Sequence, residues 1–411
     1  MNMTNVLFLI GNGFDLNIGL KTNFKNVLDE YLALETEDGN IKEFQEEIKK
    51  SYKNWASFEE EMGKYTEKFD LANKHLYLSQ IDSFRNVLRR KFTIEENRID
   101  YTSNKNENIS VFVNSLANFQ NHLSHNSKSA LVPFMPISSR SLSRSITLTY
   151  NFMTFNYTNV LDKCVELIKE KDKPHFSIQS YANKKLIING ILGEILHIHG
   201  TLQSPFIIGV DNIKQIKNSE LSADKDFQWN IVKPIINKEL EEGNDTKAIR
   251  MINNSSIICV FGMSIGVTDM TWWKHIFSWL ESDLRRHLVI FYHDENIDET
   301  NTSAIIGKKK NVKNLFFSVA GVEDEKKMRA CQDRMHIAKR NGNMFKMNIL
   351  FLDETSRKQD DLFYSPIGVD PKINPEIITN MMKNPILKNP QKTKEIVDAA
   401  NKASKSADSF M

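Results

Sequence analysis

The sequence predicts an α/β fold, a mostly parallel sheet flanked by helices and carrying a large helical insertion. Three observations carry this reading. A short aliphatic run, Val6 to Ile10, ends at Gly11-Asn12-Gly13 and leads into a helical pattern, the opening of a strand–turn–helix unit. From Ile41 to Leu131 the chain is charged and helical in period. Strand-like runs then return in series, with helical stretches between several of them, as a helix-covered parallel sheet requires.

Val6 to Ile10 reads as a buried strand because it is short, aliphatic and stopped by glycine. After the turn, Phe24, Val27, Leu28, Tyr31 and Leu32 recur at helical spacing, with Thr22 as the N-cap. In the insertion, Phe44 with Ile48, and Ile81, Phe84, Val87 and Leu88, repeat the helical period without a convincing strand. The Ser-rich stretch Ser138 to Ser141 closes it as a loop. Strands are then expected over Ile146–Phe155, Ile195–His199, Phe206–Val210, Ser256–Phe261, Leu288–His293, Leu315–Val319 and Met347–Leu352. Helices are expected over Trp272–Leu284 and Glu323–Arg340. The implied organisation is 1–40 as the first strand, turn and helix, 41–131 as the helical subdomain and 132–369 as the rest of the α/β domain. A polar, Asn/Lys/Pro/Ala-rich extension over 370–411 is expected to be partly disordered. No internal repeat is visible.

Composition narrows the class of function. In 411 residues, 54 basic side chains nearly balance 52 acidic ones, for a net charge of +2. Nucleic-acid binding is therefore not expected, since it usually shows a marked basic excess. Cys164, Cys259 and Cys331 lie far apart and form no CxxC pair, which argues against a zinc knuckle and for a reducing compartment. The N-terminal apolar run lacks a cationic leader, and no stretch approaches the ~18 apolar residues of a bilayer span. A cytoplasmic protein without a membrane partner is expected.

Four strand ends carry polar or glycine motifs, and in an open parallel sheet such ends form the ligand crevice. Gly11 and Gly13 allow close backbone approach to an anion, although a glycine pair after a strand is also a plain tight turn. Neither the dinucleotide GxGxxG pattern nor a GK[ST] phosphate loop is present. Asp15 suits either a ribose hydroxyl or backbone N–H groups within the turn. The other three ends are Thr154 to Asn159, His197-Ile198-His199-Gly200, and Phe261 to Asp269. His197 and His199 share one strand face, with His199 nearer the crevice.

Ile10-Gly11-Asn12-Gly13-Phe14-Asp15 with Gly19-Leu20-Lys21-Thr22 resembles the opening signature of the AbiH family of bacteriophage abortive-infection proteins. Phe155-Asn156-Tyr157-Thr158, His199-Gly200, and Gly262 to Gly266 with Asp269 and Trp273 follow in the family's order. Trp55, Phe58 and Glu59 resemble its tryptophan-to-glutamate segment. The family is similar, more distantly, to the Rossmann-like, sirtuin-type NAD-binding fold. That likeness implies Asn156 as the residue orienting ribose or water, and His199 as general base. It sets Gly11, Asn12 and Gly13 on the pyrophosphate, and Gly262 and Ser264 on the adenosine side. Phe14, Asp15, Thr22 and Asp269 complete the expected cofactor-binding set. Asn12 and Asp15 depart from the sirtuin turn, Tyr157-Thr158 stand where its Asp is expected, and its zinc module has no counterpart. Hydrolysis of NAD is thus implied rather than peptide deacylation.

The expected function is an abortive-infection effector that takes NAD as substrate, with no metal, and that is held in check until a phage-derived trigger acts. A homo-oligomer or a neighbouring defence protein is a possible partner. Two other readings stay open: a nucleotide or ADP-ribose sensor without catalysis, and a metal-dependent nuclease in which Asp15, Glu59, Asp269, His197 and His199 converge.

Overall fold

The computed structural model describes residues 4–51, 55–131, 144–172, 175–179, 186–292, 300–338 and 343–352. Its strands, in chain order, are β1 (Thr4–Ile10), β2 (Ile99–Asp100), β3 (Arg144–Thr154), β4 (His175–Gln179), β5 (Leu186–His197), β6 (Ile257–Phe261), β7 (His287–Phe291), β8 (Met335–Ile337) and β9 (Leu350–Phe351). Seven of them form a sheet in the order β4-β5-β3-β1-β6-β7-β8, parallel except for β4. This is a Rossmann-like α/β arrangement. From β1 the chain builds outward to β3 and β5 on one side, then returns to β6 and β7 on the other, so the strand order reverses at β1. Ligands of open α/β sheets bind at such a reversal.

Alternation along each strand explains the two faces. Val6, Phe8 and Ile10 join one core cluster, while Leu7 and Leu9 join the other. Ile257, Cys259 and Phe261 likewise face away from Ile258 and Val260. Both sides of the central strands are buried, hence their almost unbroken hydrophobicity. Helices Lys105–Ala117 and Val160–Asp172 cover the first face. Asn244–Asn253, Met270–Ser282, Thr302–Val319 and Glu325–Gln332 cover the second.

A third core gathers the helices Phe24–Leu32, Gly39–Ser51, Trp55–Tyr65 and Lys74–Asn97 around residues Leu202 to Val232. The helical stretch 41–131 is therefore divided: its first part packs with the segment that follows β5, its last part against the sheet.

Several expected elements differ. Leu315–Val319 lies within the Thr302–Val319 helix, where Val312, Phe316, Phe317 and Val319 pack on the sheet. A five-residue apolar run reads alike in a strand and in a buried helix. Phe206–Val210 is no strand: only Val210 bridges, to Val232, and the segment fills the third core. Met347–Leu352 contributes only β9, antiparallel to β2, outside the central sheet. The helix expected over Glu323–Arg340 stops at Gln332 and gives way to β8. β4 was not expected, and β5 begins earlier than Ile195. Asn23, not Thr22, caps the Phe24 helix, its side chain accepting from the Asn26 N–H at 2.9 Å. The Ser138–Ser141 loop, the end of the Leu288–His293 strand and the 370–411 extension lie outside the described residues. Among the described residues no helix is long and apolar enough to cross a membrane.

Candidate functional site

Sheet register brings the motifs together. Ile10 pairs with Thr154 of β3 and with Phe261 of β6, and Thr154 pairs with His197 of β5. Four strands thus end at one level, and Gly11, Asn156, His199 and Gly262 each lie one or two residues beyond. These four, with Asn12, Met263, Ser264 and Asp269, line a cavity of about 140 Å³. Trp55, Glu59 and Phe92 from the helical insertion close it, and Phe155, Tyr157 and Ile208 complete the wall. A volume of this order, ~150 Å³, accommodates one aromatic ring, whereas whole drug-sized ligands occupy upwards of ~300 Å³.

The two glycine turns are packed backbone against backbone. The Gly11 N–H donates to the Phe261 carbonyl at 3.0 Å, and the Gly13 N–H to the Gly262 carbonyl at 2.7 Å. Both donors are thus spent inside the protein. A Cβ on Gly13 would lie 2.5 Å from Gly262 Cα, and Gly262 itself has φ +67°. Gly13→Ala is therefore expected to destabilise by about 1–3 kcal/mol through overpacking, read as a lower urea midpoint.

Asp15 is buried and does not line the cavity. Its carboxylate is held not by turn N–H groups but by Asn156 Nδ2 at 2.9 Å and Thr158 Oγ1 at 2.6 Å, from both of which it accepts. Burial pushes its pKa up to about 7, against the pull of those two hydrogen bonds. Because a carboxylate only accepts, it fixes the Asn156 amide with Oδ1 turned the other way. That oxygen is buried and has no hydrogen-bond partner, an expensive state unless a ligand or water completes it. Phe14 is core, stacked edge-on to Phe112 and Phe345. Thr22 acts through its carbonyl, which accepts from Asn12 Nδ2 at 2.8 Å and Trp55 Nε1 at 3.3 Å, tying the glycine turn to the insertion.

The two histidines of His197-Ile198-His199 are shifted in opposite directions. His197 Nδ1 faces the Asn156 carbonyl at 3.1 Å and Nε2 faces Asp162 Oδ2 at 2.8 Å. Both partners are acceptors, which favours a proton on each nitrogen; burial opposes this, and the Asp162 carboxylate outweighs it to raise the pKa. His199 is buried beside the Phe155 ring, and burial together with the nearby Lys233 ammonium pushes its pKa down to about 3. Its imidazole is neutral.

Lys233 was not anticipated. It sits on a short helix, Lys233–Glu239, with no motif around it to mark it. Its Nζ donates to both Glu59 carboxylate oxygens and to Asp269 Oδ1, each at 3.1 Å. Asp269 Oδ1 also lies 3.5 Å from His199 Nε2. Of the five residues considered for a metal, Glu59, Asp269 and His199 gather here around an ammonium, while Asp15 and His197 belong to the Asn156 side. Among the described residues no group of three or more His, Cys, Asp or Glu is placed to hold a metal ion.

The family model described as bacteriophage abortive infection AbiH matches residues 7–292, which contain every strand end of the site. The chain belongs to the AbiH family. Abortive infection of phage is therefore its biological setting. A search of curated proteins finds no match. In this AbiH protein the motifs most widely separated in sequence, Gly11-Asn12 and Asn156 to Asp269, share one cavity.

His199 also sets a pH dependence. Its folded pKa is below the ordinary ~6.5, so its contribution is complete above ~6.5 and is lost as pH falls towards about 3, where only the unfolded chain takes the proton. Between pH 7 and 5 this amounts to about 2 kcal/mol. Asp15 and Glu59, both raised to about 7, work with the opposite sign over the same acidic range. Comparing urea unfolding of the parent and His199→Gln at the two pH values isolates the histidine: the variant is expected to lose less stability on acidification.

Proposed function

We propose that this AbiH protein is a phage-defence effector that hydrolyses NAD at the nicotinamide–ribose bond. The observation that carries the reading is Asn156, whose buried Oδ1 is unpartnered while its Nδ2 is held by Asp15, on the wall of a ring-sized cavity that it shares with the neutral His199. The cavity lies where the strand order reverses, the usual place for a nucleotide. Its size suits the nicotinamide end of a dinucleotide, leaving the phosphates and adenosine to pass out by Asn12, Gly262 and Ser264. The resemblance of these strand ends to the sirtuin-type fold points to the same orientation.

In this reading NAD is the substrate and not a resident cofactor. Asn156 accepts a hydrogen bond from the ribose or the attacking water, and Asp15, Thr158 and His197 hold it in position. His199 supplies an uncharged ring nitrogen as acceptor. Metabolite profiling during phage infection tests the reading: cells with the parent protein are expected to lose NAD and accumulate ADP-ribose, and cells with folded His199→Ala to retain NAD. Equal NAD loss in both would refute it.

A second reading, a nucleotide sensor without chemistry, draws on the pKa of about 3 for His199, which makes it a weak base. It predicts NAD binding in calorimetry with no nicotinamide released, even with extract from infected cells present.

A further inference from the structure

The cavity holds an acid that the Asn156–His199 pair does not use. We propose that Glu59, supplied by the helical insertion, is the catalytic carboxylate of this site, facing the cation that develops on the ribose and taking the proton of the attacking water. The inference rests on the NAD-hydrolysis reading and deepens it.

Charge counting comes first. Glu59 and Asp269 share a single ammonium, Lys233, and His199 beside them is neutral. With both carboxylates ionised, the cluster carries one negative charge in excess, on the wall of a cavity to which Trp55, Phe92, Phe155 and Tyr157 contribute four aromatic rings. An aromatic-walled, anionic, ring-sized chamber selects a flat cation. The pyridinium ring of NAD is one; the neutral dihydropyridine of NADH is not.

Reactivity comes second. As the C1′–N1 bond breaks, its electron pair leaves with nicotinamide, which becomes neutral, and positive charge passes to the ribose. Water oxygen then bonds to C1′ and its proton goes to a base, giving nicotinamide, ADP-ribose and one proton. A base works best when its pKa lies near the working pH. Burial pushes Glu59 up to about 7 while Lys233 pulls it down, whereas His199 is held near 3. The groups that face Glu59 are Lys233 from its short helix, Asp269 and Thr268 from the Val267–Asp269 turn, and Tyr157 from the loop after β3. His199 shares its cavity wall. Lys233 takes one lone pair on each Glu59 oxygen and the Thr268 hydroxyl donates to the carboxylate as well, which leaves one lone pair for the water.

The test is nicotinamide release by the purified full chain, parent and with Glu59→Gln or Glu59→Asp, in the presence of extract from phage-infected cells, alongside calorimetric NAD and NADH binding and thermal melting. The parent rate is expected to rise with pH through about 7, and NAD to bind more tightly than NADH. Glu59→Gln is expected to lower kcat by at least ~10²-fold, to lose that pH limb and still to bind NAD. Should Glu59→Gln melt early, Glu59→Asp keeps the charge and the Lys233 pairing but withdraws the carboxylate by one methylene, and its rate must also fall. A folded Glu59→Gln or Glu59→Asp that releases nicotinamide at the parental rate overturns the assignment alone. A parent protein that binds NAD and leaves it intact overturns the underlying reading and this assignment with it.

Discussion

Lys233→Met is expected to destabilise the protein by about 3–5 kcal/mol, the usual cost of removing one partner from a buried ion pair. Lys233 is only 3% exposed, and its ammonium is the common hydrogen-bond donor to Glu59 and Asp269. Methionine fills much of the same volume, so packing changes little, and the penalty comes from two acids left facing each other without a counter-ion. The loss is expected to be larger at pH 8 than at pH 5, because burial favours the neutral form of Glu59, which takes up a proton in acid. The triple variant Glu59→Gln, Lys233→Met, Asp269→Asn carries no uncompensated charge and is expected to be milder than Lys233→Met alone. Urea midpoints of the variants read this directly, and a Lys233→Met cost below ~1 kcal/mol is what a solvent-exposed pair gives, contrary to this account.

Asn156→Ala is expected to reduce NAD consumption by at least ~10²-fold, a loss comparable to that of a positioned catalytic group. Asn156 links two sets of neighbours: Nδ2 donates to Asp15, the backbone carbonyl accepts from His197, and Oδ1 has no partner. Truncation removes that acceptor and leaves the Asp15 carboxylate with Thr158 as its remaining side-chain donor. Stability should also drop, so activity must be compared per folded protein. Asp15→Asn separates the two effects. It cannot accept equally from both donors, so it is expected to lower kcat while leaving the cavity wall intact, the behaviour of a positioning residue.

Much of this site is legible in the sequence because it lies at strand ends. The β1 run and its glycines, Asn156, His199 and Gly262 are each marked by a change from aliphatic strand to polar or glycine turn, and a parallel sheet then brings such ends together. The helical insertion was equally plain in its period. What period alone could not show is which helical faces meet the strand ends. Glu59 stands on an ordinary charged helix beside Glu60 and Glu61, and only the packing of Phe58 and Trp55 against Phe24 and Phe84 turns it inward. Lys233 carries no local signal, for its role comes entirely from two acids far away in sequence. Short buried segments failed for a different reason. Leu315–Val319 and Met335–Ile337 are both brief apolar stretches, yet the first is helix and the second strand, a choice made by what each packs against.

The central claim is that one cavity at the sheet's reversal point cleaves the glycosidic bond of NAD. Purified parent, Asn156→Ala and His199→Ala proteins, each incubated with NAD and extract from phage-infected cells, test it by direct quantification of nicotinamide and ADP-ribose. The expected result is equimolar release of both products by the parent and at least ~10²-fold slower release by each folded variant. Intact NAD with the parent under conditions where the protein still protects cells from phage, or undiminished release by either variant, would contradict the account.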